Sequence, residues 1–327
     1  MKILFKTLIL IFLCGFGISS CVSLAKSVVN EGREDVLYLI AGFDDAAENT
    51  DVLFTVGFNK AENRVYVSQI PRDTYFNFGD SQNKINQIFA SARAKGEDAF
   101  SAMEKTTDLL SDAFGVEFDG FIGITTESFR KIVDSLGGVD ININSDMNVS
   151  LDDGEVLELK KGLNHIDGAA AEKFVRYRKG YTRGDLARVD AQKIFLNALF
   201  ARLAQGITLP SLLSLASVLK DTSVSDINLA EVASFVFSNL SAEGEGHSSF
   251  VTLPGEAIQN ESGLSYYVLN RKASEDIVRR YMFAEDAFDS EKRFLNKDNI
   301  GFVNIYEDDN IHPKEFSNEN IADIRLS

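Results

Sequence analysis

Cysteine is almost missing from this 327-residue chain. Cys14 and Cys21 lie in the first segment, and no thiol follows them. A disulfide framework and a thiolate metal site are therefore excluded from the body of the protein. Histidine is nearly as scarce: His165, His247 and His312 are too scattered to suggest a zinc triad. Any metal should be a hard cation bound through oxygen. Positive charge is also short, with a formal net charge of −16. That balance argues against non-specific binding to nucleic acid, which needs a basic face. It argues equally against adsorption to an anionic membrane by charge alone. Internal repeats and low-complexity blocks are missing too. The remaining composition, 45% apolar and 25% charged, is ordinary for a globular protein. The length suits one large α/β domain with a real core, or two small ones.

The N-terminus has no apolar run long enough for a comfortable bilayer span, which needs about 20 residues. It reads as an export signal. Lys2 and Lys6 precede the apolar stretch TLILIFLCGFG, and small residues follow. ISSC, ending at Cys21, resembles a bacterial lipobox, in which Cys21 is acylated and becomes the mature N-terminus. The alternative is an uncleaved anchor with its lysines inside. Either way the body is expected in the cell envelope, outside the cytoplasmic membrane and anchored to it. Residues 1–21 thus form the signal, 22–34 a polar tether, 35–283 the folded domain and 284–327 a polar, weakly packed tail.

Within the domain, strand and helix patterns alternate, which indicates a mixed sheet with helices on its faces. VLYLIAGFDD is a continuous apolar run ending in carboxylates, as in a buried strand whose end opens onto a site. DVLFTVGFN and NRVYVSQIP read as strands joined by a turn around residues 60–63. The segment from Lys84 to Gly115 has helical periodicity, with a break at Gly96. FDGFIGIT is a strand; TESFRKIVDSLGG is a helix with Thr126 as its N-cap and a Gly-Gly stop. VDININ is a further strand, and Asp167 caps a helix over GAAAEKFV. A long amphipathic helix runs from Asp185. Two more helices are expected at LPSLLSLASVLKD and NLAEVASFVFSNL, strands at HSSFVTLPG and LSYYVLN, and a helix at KASEDIVRRYMF.

Three clusters of charge fall at the ends of these elements. Asp44 closes the first strand and Asp51 opens the second, so neighbouring strand ends can hold two carboxylates close together. Such a pair suits Mg²⁺ or Mn²⁺, which share their shells with phosphate oxygens; solvated turn acids are the plainer alternative. In IPRDTYF, Pro71 ends a strand and Arg72 projects beside Asp73, either toward a ligand or as a local brace. FVRYRKGYTRGDLAR crowds Arg176, Arg178, Lys179, Arg183 and Arg188 together in an acidic protein. If the chain extends beyond Val175, Arg176 and Arg178 point to one side. Paired guanidinium groups suit a pyrophosphate, because each can fork onto two oxygens. Gln192 lies one turn beyond Arg188 on the same helix face. A solvated basic surface tied to nearby acids is the alternative.

These pieces resemble the LytR-CpsA-Psr family of cell-envelope transferases. The matching segments, in family order, are LIAGFD, TDVLFTV, SQIPRDTY, KIN, GFIGITTESFRKIVDSLGGVDININ, KKGLNHIDGAAAEKFVRYRK and DLARVDAQ, with TLPGEA and LSYYVLN at the end. The resemblance covers roughly Asp35 to Phe283. It implies an α/β/α sandwich whose central mixed sheet encloses a hydrophobic polyprenyl pocket. It implies transfer of a glycopolymer from an undecaprenyl pyrophosphate carrier to peptidoglycan, forming a phosphodiester. It assigns Mg²⁺ to Asp44 and Asp51, and the pyrophosphate to Arg72, Arg176 and Arg178. Lys84 of KIN, Arg188 and Gln192 match further substrate contacts. Asp185 matches an acid proposed to deprotonate the acceptor hydroxyl.

The sequence also departs from the family pattern. Asn49 stands where an arginine usually precedes the second metal acid, Gln87 where a histidine often follows KIN, and Ala191 where a basic residue often precedes the glutamine. These changes remove cationic groups near the head group. They keep open two other expectations: an envelope lipoprotein that binds polyprenyl phosphate without turnover, and a hydrolase that gives the phosphate to water.

Overall fold

β1 (Asp35–Phe43) is apolar on both sides, and the fold treats the two sides differently. Leu37, Leu39, Ala41 and Phe43 are buried, while Tyr38, Ile40 and Gly42 between them stay half-buried. The computed structural model describes residues 35–44, 49–59, 61–62, 64–78, 84–150, 156–177, 185–204, 214–215, 217–219, 223–227, 246–259, 264–283, 301–302 and 322–326. β1 pairs antiparallel with β2 (Thr50–Asn59), and β2 antiparallel with β3 (Arg64–Ile70). After β4 (Phe76–Asn77) come α1 (Gln87–Ala94) and α2 (Ala99–Phe114), separated at Gly96. β5 (Gly120–Ile124) returns parallel to β1. α3 (Thr126–Ser135) follows, capped by Thr125 rather than Thr126, because the Thr125 hydroxyl accepts from the Ser128 N–H. It stops at Gly137 and Gly138, whose φ values of 78° and 85° suit glycine.

Four short strands come next: β6 (Val139–Ile143), β7 (Met147–Ser150), β8 (Val156–Leu159) and β9 (Gly162–Ile166). VDININ is a strand as expected, but it pairs with β9 in its own two-stranded sheet. α4 (Gly168–Arg176) begins at Asp167, whose carboxylate accepts from the Ala170 N–H. α5 (Asp185–Ala204) is the long helix. β10 (Ser223–Ser225), β11 (Gly246–Thr252), β12 (Gly255–Gln259) and β13 (Ser265–Leu269) lead to α6 (Arg271–Tyr281). β14 (Gly301–Phe302) pairs with β4, and β15 (Ala322–Leu326) with β11. Parts of the segment read as a polar tail therefore add strands to the domain. The helix expected at NLAEVASFVFSNL, the signal and the tether lie outside the described residues, as does most of LPSLLSLASVLKD.

The central sheet runs β10-β5-β1-β2-β3-β11-β15, with parallel and antiparallel neighbours. Its closed face is a core of Leu37, Leu39, Phe43, Leu53, Ile70 and Phe121 against α1, α2 and α6. Phe43 stacks on Phe89 with ring centroids 4.6 Å apart. Alternation sends Ile40, Val52, Phe54, Val56, Val65 and Val67 to the other face, where Leu196 of α5 and Phe250 cover part of them. Ile40, Val52, Val56, Val65 and Ile122 on this side are only half-buried. A sheet face turned to water normally carries polar residues; the middle strands of this one are apolar, and its polar residues, Ser225, Ser248, Gln69 and Thr252, sit on the flanking strands and at the strand end. The opposite side of α5 packs Ala191 and Phe195 into a second core with α3, α4 and β6 to β9. Helices thus lie on both faces of a mixed sheet, the α/β/α arrangement expected from the sequence. Among the described residues no helix is long and apolar enough to cross a membrane.

Candidate functional site

The β2–β3 register creates the first part of the site. Leu53 faces Ile70, so two residues further along each strand Asp51 faces Arg72. A bulge between Gly42 and Phe43 shifts the β1–β2 pairing, leaving Thr50 opposite Phe43 and Asp51 without a β1 partner. Bulges at strand ends commonly re-aim a side chain. Here the Asp51 carboxylate accepts from Arg72 Nη1. Asp44 lies across the same turn. Its N–H donates to the Asn49 carbonyl at 3.0 Å, and its carboxylate accepts from the Asn49 amide at 2.9 Å. Asn49, where the family pattern has a cation, is thus a neutral brace for Asp44.

Pro71 ends β3 and the chain turns sharply. Its carbonyl accepts from the Thr74 N–H at 3.0 Å and from the Thr74 hydroxyl at 2.6 Å. Backbone hydrogen bonds between Asp73, Tyr75 and Tyr267, both 2.8 Å, strap the loop to β13. The Ile85 N–H donates to Thr74 O, tying the loop to the start of α1. Arg72 is therefore held on a rigid support. Asp73 lies between two cations, with Lys84 Nζ at 2.7 Å and Arg72 Nε at 3.8 Å. Lys84 also sits 5.6 Å from the Tyr266 ring centroid. Tyr75 packs against Tyr266, and burial, then the neighbouring Tyr266, pushes its phenol above the ordinary range. Gln87 accepts from the Lys84 N–H at 2.8 Å and so fixes the KIN turn. The Asn86 side-chain oxygen and Arg72 Nε are buried beside this loop and have no hydrogen-bond partner among the described residues.

The second part lies across the end of β3. Gln69 is buried and its amide N–H donates to the carbonyl oxygen of Gln192 on α5 at 2.6 Å. α5 thereby carries Arg188 one turn, and Asp185 two turns, ahead of Gln192. The side chains of Asp185 and Arg188 lie outside the described residues, as do Arg178 and Cys21. Ala191 is 1% exposed in the second core, so a basic residue there would point into apolar packing.

Arg176 is the last residue of α4; the chain becomes extended at Tyr177, one residue later than the sequence suggested. Its Nη1 donates to Glu172 at 2.7 Å, and Glu172 also accepts from Arg130 Nε on α3. Gly168 permits this, because a Cβ there would collide with the Arg130 carbonyl. Glu172 is nearly buried while both guanidinium groups are half exposed. The core that buries Phe174 and Tyr177 also buries Ala191, which brings the end of α4 alongside the helix that carries Gln192. The structure therefore joins Asp51, Arg72, Asp73 and Lys84 in one chain of contacts. Gln192 is attached to the same strand end, and Arg176 is held on an adjoining helix. Sequence reasoning missed Glu172, Gln69 and Thr252. An acid one helical turn before Arg176 was the available signal for Glu172.

Two carboxylates at adjacent strand ends are a donor set compatible with Mg²⁺ or Mn²⁺, which take remaining ligands from water and phosphate. Among the described residues no group of three or more His, Cys, Asp or Glu could hold a metal by itself. Among the described residues, Asp44 and Asp51 by themselves would suit a cation shared with a substrate; Asp45 and Glu48, in the turn between them, lie outside the described residues.

Comparison with known proteins gives a consistent picture. The polyisoprenyl-teichoic acid–peptidoglycan teichoic acid transferase TagV of Bacillus subtilis is 24% identical over 217 residues, 64% of this chain and 54% of TagV. The chain thus spans about half the length of that relative. TagU of Bacillus mycoides, with the same description, is 26% identical over 253 residues, 76% of this chain and 78% of TagU. The crystal structure of B. subtilis TagV superposes with a TM-score of 0.64 at 20% identity, covering 77% of this chain and 99% of that one. TagT bound to LI-WTA gives 0.60 at 19% identity, covering 79% and 95%. The profile of the LytR_cpsA_psr family matches residues 20–281, and the chain is a member of that family.

Proposed function

We propose that the protein is a glycopolymer phosphotransferase of the cell envelope, moving a glycan from a polyprenyl pyrophosphate carrier to a cell-wall acceptor such as peptidoglycan. One observation carries the reading: the half-open apolar face ends at Val52 and Gln69, and beyond them on the same two strands come Asp51 and the strapped loop that bears Arg72, Asp73 and Lys84. An apolar lane leading to cations suits a lipid with an anionic head. The transferase names of TagV and TagU support the same reading.

In the reaction, an acceptor hydroxyl oxygen attacks the sugar-side phosphorus and the bond to the bridging oxygen breaks. The products are a phosphodiester and polyprenyl phosphate. Arg72, with Lys84 beside it, stabilises charge growing on the departing oxygen. Arg176 and Arg178 hold the pyrophosphate, Arg188 and Gln192 add contacts, and Asp185 takes the hydroxyl proton. Asp44 and Asp51 would hold Mg²⁺, which when bound neutralises phosphate charge. The prenyl chain lies along Ile40, Val52, Val56 and Ile122, which excludes water from the head group. The N-terminal segment keeps the domain at the membrane that contains the carrier.

The test is product analysis. Purified protein with Mg²⁺, a synthetic polyprenyl-pyrophosphate saccharide and peptidoglycan should yield phosphodiester-linked glycan. Free phosphorylated sugar as the sole product would make the protein a hydrolase. Tight lipid binding without turnover across several donors would make it a carrier.

A further inference from the structure

Gln192 reaches the site with its carbonyl already occupied. The Gln69 amide donates to Gln192 Oε1 at 2.6 Å, and Gln69 Oε1 in turn accepts from the Thr252 hydroxyl at 3.1 Å. All three residues are buried. The pairing is built into the sheet: Thr252 lies beside Gln69 in the parallel β3–β11 register, and the next backbone bond, from the Leu253 N–H to Gln69 O, is 2.9 Å. A primary amide has one accepting and one donating end; the Thr252 hydroxyl can serve either, and here it donates, which turns the Gln69 N–H groups toward Gln192. In this chain of bonds Gln69 uses its acceptor on Thr252 and a donor on Gln192. Among the described residues, none accepts from the two Gln192 N–H donors.

We infer that Gln69 and Thr252 are positioning residues that lock the Gln192 amide so that it offers only N–H donors to an anion at the end of β3. The reverse orientation would present a carbonyl oxygen, which repels phosphate. The inference rests on the pyrophosphate reading above for the identity of the anion, but not for the direction of the amide. Gln69 lies three residues before Arg72, about 10 Å along an extended chain, so one strand end aims a neutral donor and carries a cation. This division explains why a buried polar chain lies at the end of the apolar middle strands. It fixes a hydrogen-bond donor without adding charge to the lipid lane.

Two measurements on the full-length protein test this. The first is nitrogen-15 NMR of selectively labelled glutamine side chains. In wild type the Gln69 amide protons should exchange slowly with solvent and those of Gln192 quickly. Once ionised, Gln69→Glu has neither N–H nor O–H to give, so at a pH where its carboxylate is charged Gln192 must donate to it, and the Gln192 protons should become protected. The second is calorimetric titration with farnesyl pyrophosphate, with farnesol as the uncharged control. Gln69→Glu should weaken pyrophosphate binding about tenfold to a hundredfold, the size of a lost hydrogen bond to a charged group. Farnesol binding should hold. In a Gln192→Leu background Gln69→Glu should cost clearly less than in wild type, the remainder being the direct repulsion of its charge. Gln69→Leu should fall between, with rapid Gln192 exchange retained. Unchanged exchange of Gln192 in Gln69→Glu overturns the inference, as does an equal loss of affinity in both backgrounds. If wild type shows the expected exchange pattern but binds no prenyl pyrophosphate, the transferase reading fails and the amide lock stands.

Discussion

Substituting Arg72 by alanine should remove the transfer chemistry and spare the fold. The guanidinium pairs with Asp51, but the two side chains are 22% and 44% exposed. Water and salt screen such a pair, and its contribution to stability is about 0–1 kcal/mol. The loop does not depend on it, since Thr74, Tyr75 and Tyr267 hold the turn through backbone hydrogen bonds. For a domain of this size that corresponds to a fall in melting temperature of at most about 2–4 °C. The catalytic loss is much larger. Removing one preorganised donor from developing negative charge costs about 10²–10³ in kcat, or roughly 2.7–4 kcal/mol. Arg72→Lys should retain part of the rate, because it keeps the charge and loses the fork. The assay is mass-spectrometric counting of phosphodiester-linked glycan, run beside a thermal melt of the same preparation. A variant that keeps its rate within about threefold would refute the role of Arg72. So would a large drop in melting temperature that accounts for the lost activity.

Glu172→Gln should destabilise the domain by about 1–3 kcal/mol, because a nearly buried carboxylate loses its pairing with two guanidinium groups. It should also slow transfer by releasing Arg176; urea melts and product counting give both numbers. Val56→Asp places a charge on the half-open apolar face, and native mass spectrometry should then find less prenyl lipid co-purifying with the protein. The Ser101 N–H holds the Asp98 carboxyl below its ordinary range at the start of α2. A depressed folded-state pKa gives stability that is present above the unfolded value and lost as pH falls through the folded one. Asp98→Asn should therefore flatten the acid limb of the stability curve below about pH 4. Cys21→Ser should release the protein from the membrane fraction if the thiol is acylated; unchanged fractionation at full length points to a helical anchor.

Much of the fold was legible because local chemistry and global packing agree. Asp167 as a cap, the Gly137–Gly138 stop and the break at Gly96 were all readable from residue type. The cap of α3 fell one residue earlier, since Thr125 and Thr126 are chemically alike and only backbone geometry separates them. VDININ was visible as a strand, but strand pairing is a long-range choice, and its partner β9 begins some twenty residues later. β1 showed apolar residues on both faces, while periodicity could not say that one face would stay half open. At the site, residue types placed Arg72 and Asp51 near strand ends. Their pairing needed the register and a bulge that no local pattern encodes. Glu172 lies between Arg130 and Arg176 because Gly168 lets two helices meet, a contact between distant segments.

The half-open apolar face ties two measurable quantities together. A greasy ligand that lies on the native sheet and has no place on the unfolded chain raises stability by mass action. At a free concentration one hundred times its dissociation constant the gain is about 2.7 kcal/mol. If the proposed prenyl ligand binds there, the melting point of the protein becomes a gauge of its occupancy. Preparations stripped by detergent and preparations taken gently from membranes should unfold at different temperatures, though their polypeptide is identical.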